Sequence, residues 1–175
     1  MQPYQVILLV LMLIVFAYIA AFLYVFSHAN DFSIGIKRKS DSLSVLLTEK
    51  TLALSNIDRL FKNSGVVYSN SQDKAVAEMN NIKLDHPNYE ELIKSISSIK
   101  NVEGVLSSLS IDNQWVLVDE NIGIEKDRVI DLDRNLRAGI ALYNADVIAY
   151  NYWLSIPGYR LAMCLIGYKK KKVIS

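Results

Sequence analysis

The side chains with the widest chemical repertoire are scattered along this chain. The two histidines, His28 and His86, stand far apart with no carboxylate at a useful spacing, so both read as structural or solvated. Cys164 is the only cysteine; it has no disulfide partner and no neighbouring His or Cys to complete a metal site. A free thiol in such a setting is expected to be buried and inert. In "DLDR", Asp131 and Asp133 alternate as metal ligands often do, but residues two apart on a helix face different sides and do not converge on one ion. The expected roles are surface ion pairs, Asp131 with Arg134 and Asp133 with Arg137. No acid, base and nucleophile assemble. The sequence therefore predicts no catalytic residue, no cofactor and no metal site, and reads as a non-enzyme.

One polar pattern does repeat. "ALYNADVIAYNYWLSIPG" places Tyr143-Asn144 and Tyr150-Asn151 seven residues apart, with Val147 between them. On a helix that interval aligns Asn144 and Asn151 on one face, beside a seam of Tyr143, Val147 and Tyr150. Asn at such positions hydrogen-bonds across helices and fixes register, while each Tyr fills the core and sends its hydroxyl to the rim. The expected role is helix register or partner contact, ahead of a ligand site.

The elements that must carry this pattern are helical. From Ser40 onward apolar residues recur at spacings of three and four, and period-two alternation is scarce, so the class is all-α. A first soluble helix is predicted from about Asp41 to Lys62, with an apolar stripe of Leu43, Leu46, Leu47, Leu54, Ile57 and Leu60 that Phe61 widens, stopping at Gly65. Polar clusters and Pro87 leave residues 66–88 unassigned apart from a short helix over Ala75 to Ile82. A third runs from Tyr89 to Leu109, capped by Asn88 with Glu90 and Glu91 in its first turn. The last long helix begins near Asp112, with a break or strand-like turn open at "WVLVDENIG", and ends before Pro157. Within it Val129, Leu132, Leu136, Ile140, Tyr143, Val147, Tyr150 and Leu154 form a coiled-coil-like seam.

Before all of these stands "VILLVLMLIVFAYIAAFLYVF", residues 6 to 26, apolar throughout and long enough to cross about 30 Å of hydrocarbon. Tyr4 and Tyr24 sit where aromatic rings meet headgroups. A signal peptide fits poorly, because "MQPYQ" lacks a basic n-region and the apolar run is too long. Lys37, Arg38 and Lys39 follow the span, which predicts an outside N-terminus and a cytoplasmic bundle. The layout expected is thus a transmembrane anchor over 1–29, a basic juxtamembrane segment over 30–40, an antiparallel helical bundle over 41–158, and an apolar segment with a basic tail over 159–175.

That tail reads "YRLAMCLIGY" followed by Lys169, Lys170, Lys171 and Lys172. The apolar piece is too short to span a bilayer. Two readings stand side by side: an interfacial segment whose lysines meet anionic lipid, or a lid in which Leu161, Met163, Leu165 and Ile166 cover the bundle end. A net charge of +1, and lysines without an aromatic platform, predict no nucleic-acid partner.

The order Tyr143-Asn144, Val147, Tyr150-Asn151, Pro157, Ala162, Gly167-Tyr168 resembles the LemA family of bacterial membrane proteins, whose last helix carries this pattern. "SLSVLLTEKTLALSNI", residues 42 to 57, is similar to the family's first soluble helix at Val45, Leu47, Lys50 and Asn56. Glu49 replaces half of the family's basic pair and Ser55 its proline. The resemblance implies a single N-terminal membrane helix followed by a helical bundle, and it implies no enzymatic activity. The expected function is a membrane-anchored scaffold or partner-binding module. Its partners are the membrane and a protein, either another protein or a second copy of this chain. The alternative is a peripheral sensor or organiser of anionic lipid.

Overall fold

A computed structural model describes every residue except Met1, Lys83 and His86, so the reading of His86 lies outside the described residues. The described residues form α1 (Pro3–Asn63), α2 (Asn70–Asn80), α3 (Tyr89–Asp112), a 3-10 turn (Gln114–Val118), α4 (Glu120–Trp153) and α5 (Arg160–Leu165), with no strand among them. The protein is all-α, with a long apolar N-terminal helix and a second long helix toward the C-terminus.

α1 differs from the sequence expectation, which starts a new helix at Asp41. It runs unbroken from Pro3 to Asn63, through the segment 30–40 that composition marks as a connection. No proline lies between Pro3 and Asn63 to stop it, and Gly35 is tolerated inside the helix. A β-carbon at Gly35 would stand 2.8 Å from Asp146 Oδ2, so the missing side chain makes room for α4. α1 is long and apolar enough near its N-terminus to cross a membrane, and none of its most apolar stretch is buried.

The remaining helix ends obey local chemistry. At the end of α1, Gly65 adopts φ 84° while its N–H donates to Lys62 O (3.0 Å) and Val66 N–H donates to Phe61 O (3.1 Å). This is a Schellman stop, with Val66 buried beneath it. α2 begins at a Ser69–Gln72 capping box and ends at Asn80, two residues short of the expected Ile82. α3 begins at a box in which Asn88 Oδ1 accepts from Glu91 N–H (3.0 Å) and Glu91 Oε2 accepts from Asn88 N–H (2.9 Å). Asn88→Ala is expected to remove about 1 kcal/mol of stability, read as a lower denaturant midpoint, with Asn88→Ser close to wild type.

Packing divides the chain into two compact units. One joins α1 up to Lys37 to the segment Asn144–Val173; the other holds Arg38–Tyr143.

In the second unit α1 and α4 are antiparallel. Lys39 Nζ donates to Leu142 O (3.1 Å), and Asn56 Nδ2 donates to Glu125 Oε1 (2.9 Å), so positions rise along α1 as they fall along α4. Gly139 lets the helices close up, since a β-carbon there would stand 2.9 Å from Leu43 Cδ2. Leu43, Leu47, Leu54, Ile57 and Phe61 of α1 are buried, as are Leu92, Ile96, Ile99, Val102, Leu106 and Leu109 of α3 and Leu132, Leu136 and Tyr143 of α4. Each such side chain contributes roughly 1.5–3 kcal/mol by leaving water. α2 packs against α3.

In the first unit the same antiparallel relation recurs. The Tyr24 ring meets Trp153 edge-on (5.8 Å), and Tyr18 stacks on Tyr159 beyond the end of α4 (5.2 Å). Val25, Ala29 and Ile36 of α1 are buried, together with Val147 and Tyr150 of α4, Leu154 just past its end and Met163 of α5.

Candidate functional site

The Tyr-Asn repeat lies on α4, where its apolar members are inside. Tyr143, Val147 and Tyr150 are buried, and Asn144 and Asn151 are half-buried. Burial pushes the Tyr143 hydroxyl above its ordinary value, with a smaller push from neighbouring Tyr89. The spacing predicts a bond from Asn151 across to a neighbouring helix, whereas its side chain pairs with the C-terminal tail. Its Nδ2 donates to Lys171 O (2.8 Å), and its Oδ1 accepts from Lys171 N–H (2.9 Å). One side-chain amide thus pairs with both backbone groups of a single tail residue. Tyr150 Oη donates to Lys169 O (3.1 Å), so its hydroxyl also serves the tail.

The tail is consequently a folded element. Gly167 (φ 99°) ends α5 in a second Schellman turn, with Tyr168 N–H donating to Met163 O (3.0 Å). That turn aims Tyr168 at α1: its hydroxyl donates to Asn30 Oδ1 (3.2 Å) and its ring meets Phe26 edge-on (5.6 Å). Lys171 follows, with its Nζ 3.2 Å from Ser33 Oγ and 5.1 Å from the Tyr150 ring centre. Burial lowers the pKa of this ammonium.

The expected membrane-surface residues differ in exposure. Lys171 is half-buried against α1 and α4, while Lys169, Lys170 and Lys172 are exposed. Lys37 and Arg38 are exposed on α1, but the half-buried Lys39 is engaged with the Leu142 carbonyl. Cys164 is exposed rather than buried, because α5 turns Met163 inward and its other side outward. The lid reading also fails for three of its four residues: Met163 is buried, whereas Leu161, Leu165 and Ile166 are 80%, 89% and 53% exposed. His28 has a structural place, its ring stacked on Trp153 (4.8 Å).

A second constellation has no counterpart in the sequence expectations. Lys50 is 2% exposed, and its Nζ lies 2.6 Å from Glu103 Oε1 and in direct contact with Asp133 Oδ1. Asp133 therefore serves α1, not Arg137; Asp131 does pair with Arg134 (3.1 Å), on the surface. Burial raises the Glu103 carboxyl above its ordinary value, and the Lys50 ammonium offsets part of that rise. Glu103 and Asp133 border a cavity of about 390 Å³ lined also by Leu54, Leu106 and Lys126. Burial lowers the Lys126 ammonium at that cavity. An ammonium held between two carboxylates is a lock joining α1, α3 and α4; it offers no free nucleophile. The signal was present in the sequence, since Lys50 fills the gap between Leu47 and Leu54 in the α1 stripe.

At the far end of α1, Lys62 Nζ lies 3.3 Å from Asp58 Oδ1 and 3.1 Å from Asp73 Oδ1, and 4.8 Å from the centre of the Tyr68 ring. Burial raises the Tyr68 hydroxyl, and the adjacent Asp58 raises it further. This cluster ties the loop before α2 to α1. Among the described residues no group of three or more His, Cys, Asp or Glu side chains converges as a metal site. Comparison of the chain with protein families, with curated proteins and with solved structures finds no match.

Proposed function

We propose that this chain is a LemA-like, non-enzymatic membrane protein in which the N-terminal part of α1 is the anchor and the helical bundle is a scaffold or partner-binding module. The observation that carries this reading is the apolar stretch of α1, which is exposed from Tyr4 to Ala21, with none of its most apolar window buried. In water such a surface is strongly unfavourable, and a bilayer supplies the missing apolar surroundings. Lys37, Arg38 and Lys39 beyond the span set the bundle on the cytoplasmic side. The charged lock at Lys50 supports a structural purpose for the buried polar groups, since polar residues at seam positions commonly fix register.

The experiment is photo-crosslinking in cells, with a photoreactive residue at exposed Ile130 or Ile148. A discrete adduct with a membrane neighbour or a second copy of the chain is expected, and the purified chain should turn over no substrate in broad profiling. A specific turnover, or only diffuse adducts from both positions, would overturn the reading. The alternative, contact with lipid through the C-terminal segment, gains support from the exposed Leu161, Leu165 and Ile166.

A further inference from the structure

We infer that the end of α4, the Pro157-Gly158 turn and α5 are a second membrane-inserted element, dipping into the leaflet that the C-terminal end of the α1 span crosses. This rests on the reading of α1 as a span and extends it to residues far away in sequence.

The argument is one of level along α1. Tyr18 Oη donates to Gly158 O (2.9 Å), and Tyr159 lies against both Tyr18 and Phe22 (5.2 and 6.1 Å between ring centres). The turn therefore sits beside the apolar run, about 12 Å before its end at Phe26 at 1.5 Å per residue. From there the chain climbs: Tyr168 meets Phe26 and Asn30, and Lys171 meets Ser33. Asn30 and Ser33 lie roughly 6 and 10 Å beyond Phe26, at or just past a headgroup layer of about 5–8 Å.

The side chains at each level suit it. α5 lies between the Tyr18 and Phe26–Asn30 levels, and Leu161, Cys164 and Leu165, at i, i+3 and i+4, share its exposed face. That spacing is an apolar face for the acyl boundary, which interfacial helices enter by about 5–10 Å. Tyr24 and Trp153 (5.8 Å apart), with His28 stacked on Trp153, make an aromatic belt at the boundary. Exposed Lys169 and Lys170 follow at the headgroup level, and Arg160, at the deeper start of α5, meets them across an open cleft of about 220 Å³ beside Met163 and Tyr168. Lipid phosphate is the anion that this level offers such a cleft.

Cys164, the only cysteine, permits a direct test in the full chain. The protein is spin-labelled at Cys164, placed in phospholipid nanodiscs, and probed by its accessibility to oxygen and to a water-soluble nickel chelate. Cys164→Ser chains carrying Leu9→Cys in α1 or Lys74→Cys in α2 report the span and the aqueous bundle. Insertion predicts that the Cys164 label favours oxygen, at a depth on the order of 5–10 Å, between the two references. A Cys164 label as open to nickel as the Lys74 position, with Leu9 still in lipid, overturns the inference and leaves the span intact. If the Leu9 label is aqueous as well, the span reading fails with it. Shielding from both reagents would place protein over α5, and would also overturn the inference.

Discussion

Lys50→Met is expected to destabilise the full chain by about 3 kcal/mol, measured as a loss of unfolding free energy in micelles. The side chain is 2% exposed and neutralises Glu103 and Asp133, whose side chains are 24% and 30% exposed. Breaking a buried pair from one side costs about 3–5 kcal/mol because the remaining charge stays out of water. The partial exposure of both carboxylates sets this case at the lower end. Neutralising the whole lock, as Lys50→Met with Glu103→Gln and Asp133→Asn, should restore stability to within about 1 kcal/mol of wild type. A triple variant as weak as the single one would mean that Lys50 matters for its packing rather than its charge. The pH dependence gives an independent reading. The Glu103 carboxyl is held above its ordinary value of 4.5, burial being the main cause, so the folded chain binds that proton more tightly than the unfolded chain. Its contribution to stability is full below pH 4.5 and is lost as pH rises through the elevated folded value. Glu103→Gln should flatten that fall above pH 4.5, and an unchanged slope would show that Glu103 titrates normally.

This lock marks the boundary of what the sequence makes legible. The α4 seam, the Asn88 cap and the Gly65 stop are all readable because periodicity and capping are decided by residues within a turn or two of each other. Lys50 sits in the same stripe at a seam position, yet its type argues for the surface. Only its partners on α3 and α4 make burial tolerable, and no local signal announces them. Asp133 shows the same limit, because the helical spacing offers Arg137 as a partner while the tertiary structure offers a desolvated ammonium. The segment 30–40 reads as a basic juxtamembrane segment ahead of a helix starting at Asp41, but a helix continues until something stops it, and neither proline nor a capping turn intervenes. In the tail, composition separates an apolar piece from a lysine run. The fold instead separates side chains by which way a six-residue helix turns them: Met163 inward, Cys164 and Leu165 outward.

Asn151→Ala should release the C-terminal tail and increase the rate of tryptic cleavage at Lys169 and Lys170 by roughly 30-fold, without changing helical content. The Asn151 amide makes two hydrogen bonds to Lys171, of 2.8 and 2.9 Å, one in each direction. At a net value of about 1 kcal/mol each, losing both raises the open population by that factor, since 1.4 kcal/mol is tenfold. Cleavage tracks the open population while reclosing outpaces the protease. Tyr150→Phe removes only the 3.1 Å bond from Tyr150 Oη to Lys169 O and leaves the ring in the core, so an increase of about 5-fold is expected. The order of the two variants separates this account from the reading of the repeat as an interhelical register device. If Asn151 served chiefly to align helices, Asn151→Ala would lower the melting temperature of the bundle and leave tail cleavage near wild type. A Tyr-Asn pair that holds the tail fits the geometry better, because Asn151 faces the backbone of the non-helical tail. Two bonds to one residue's N–H and C=O fix that segment's register as a neighbouring strand would, with Tyr150 marking the position two residues before it.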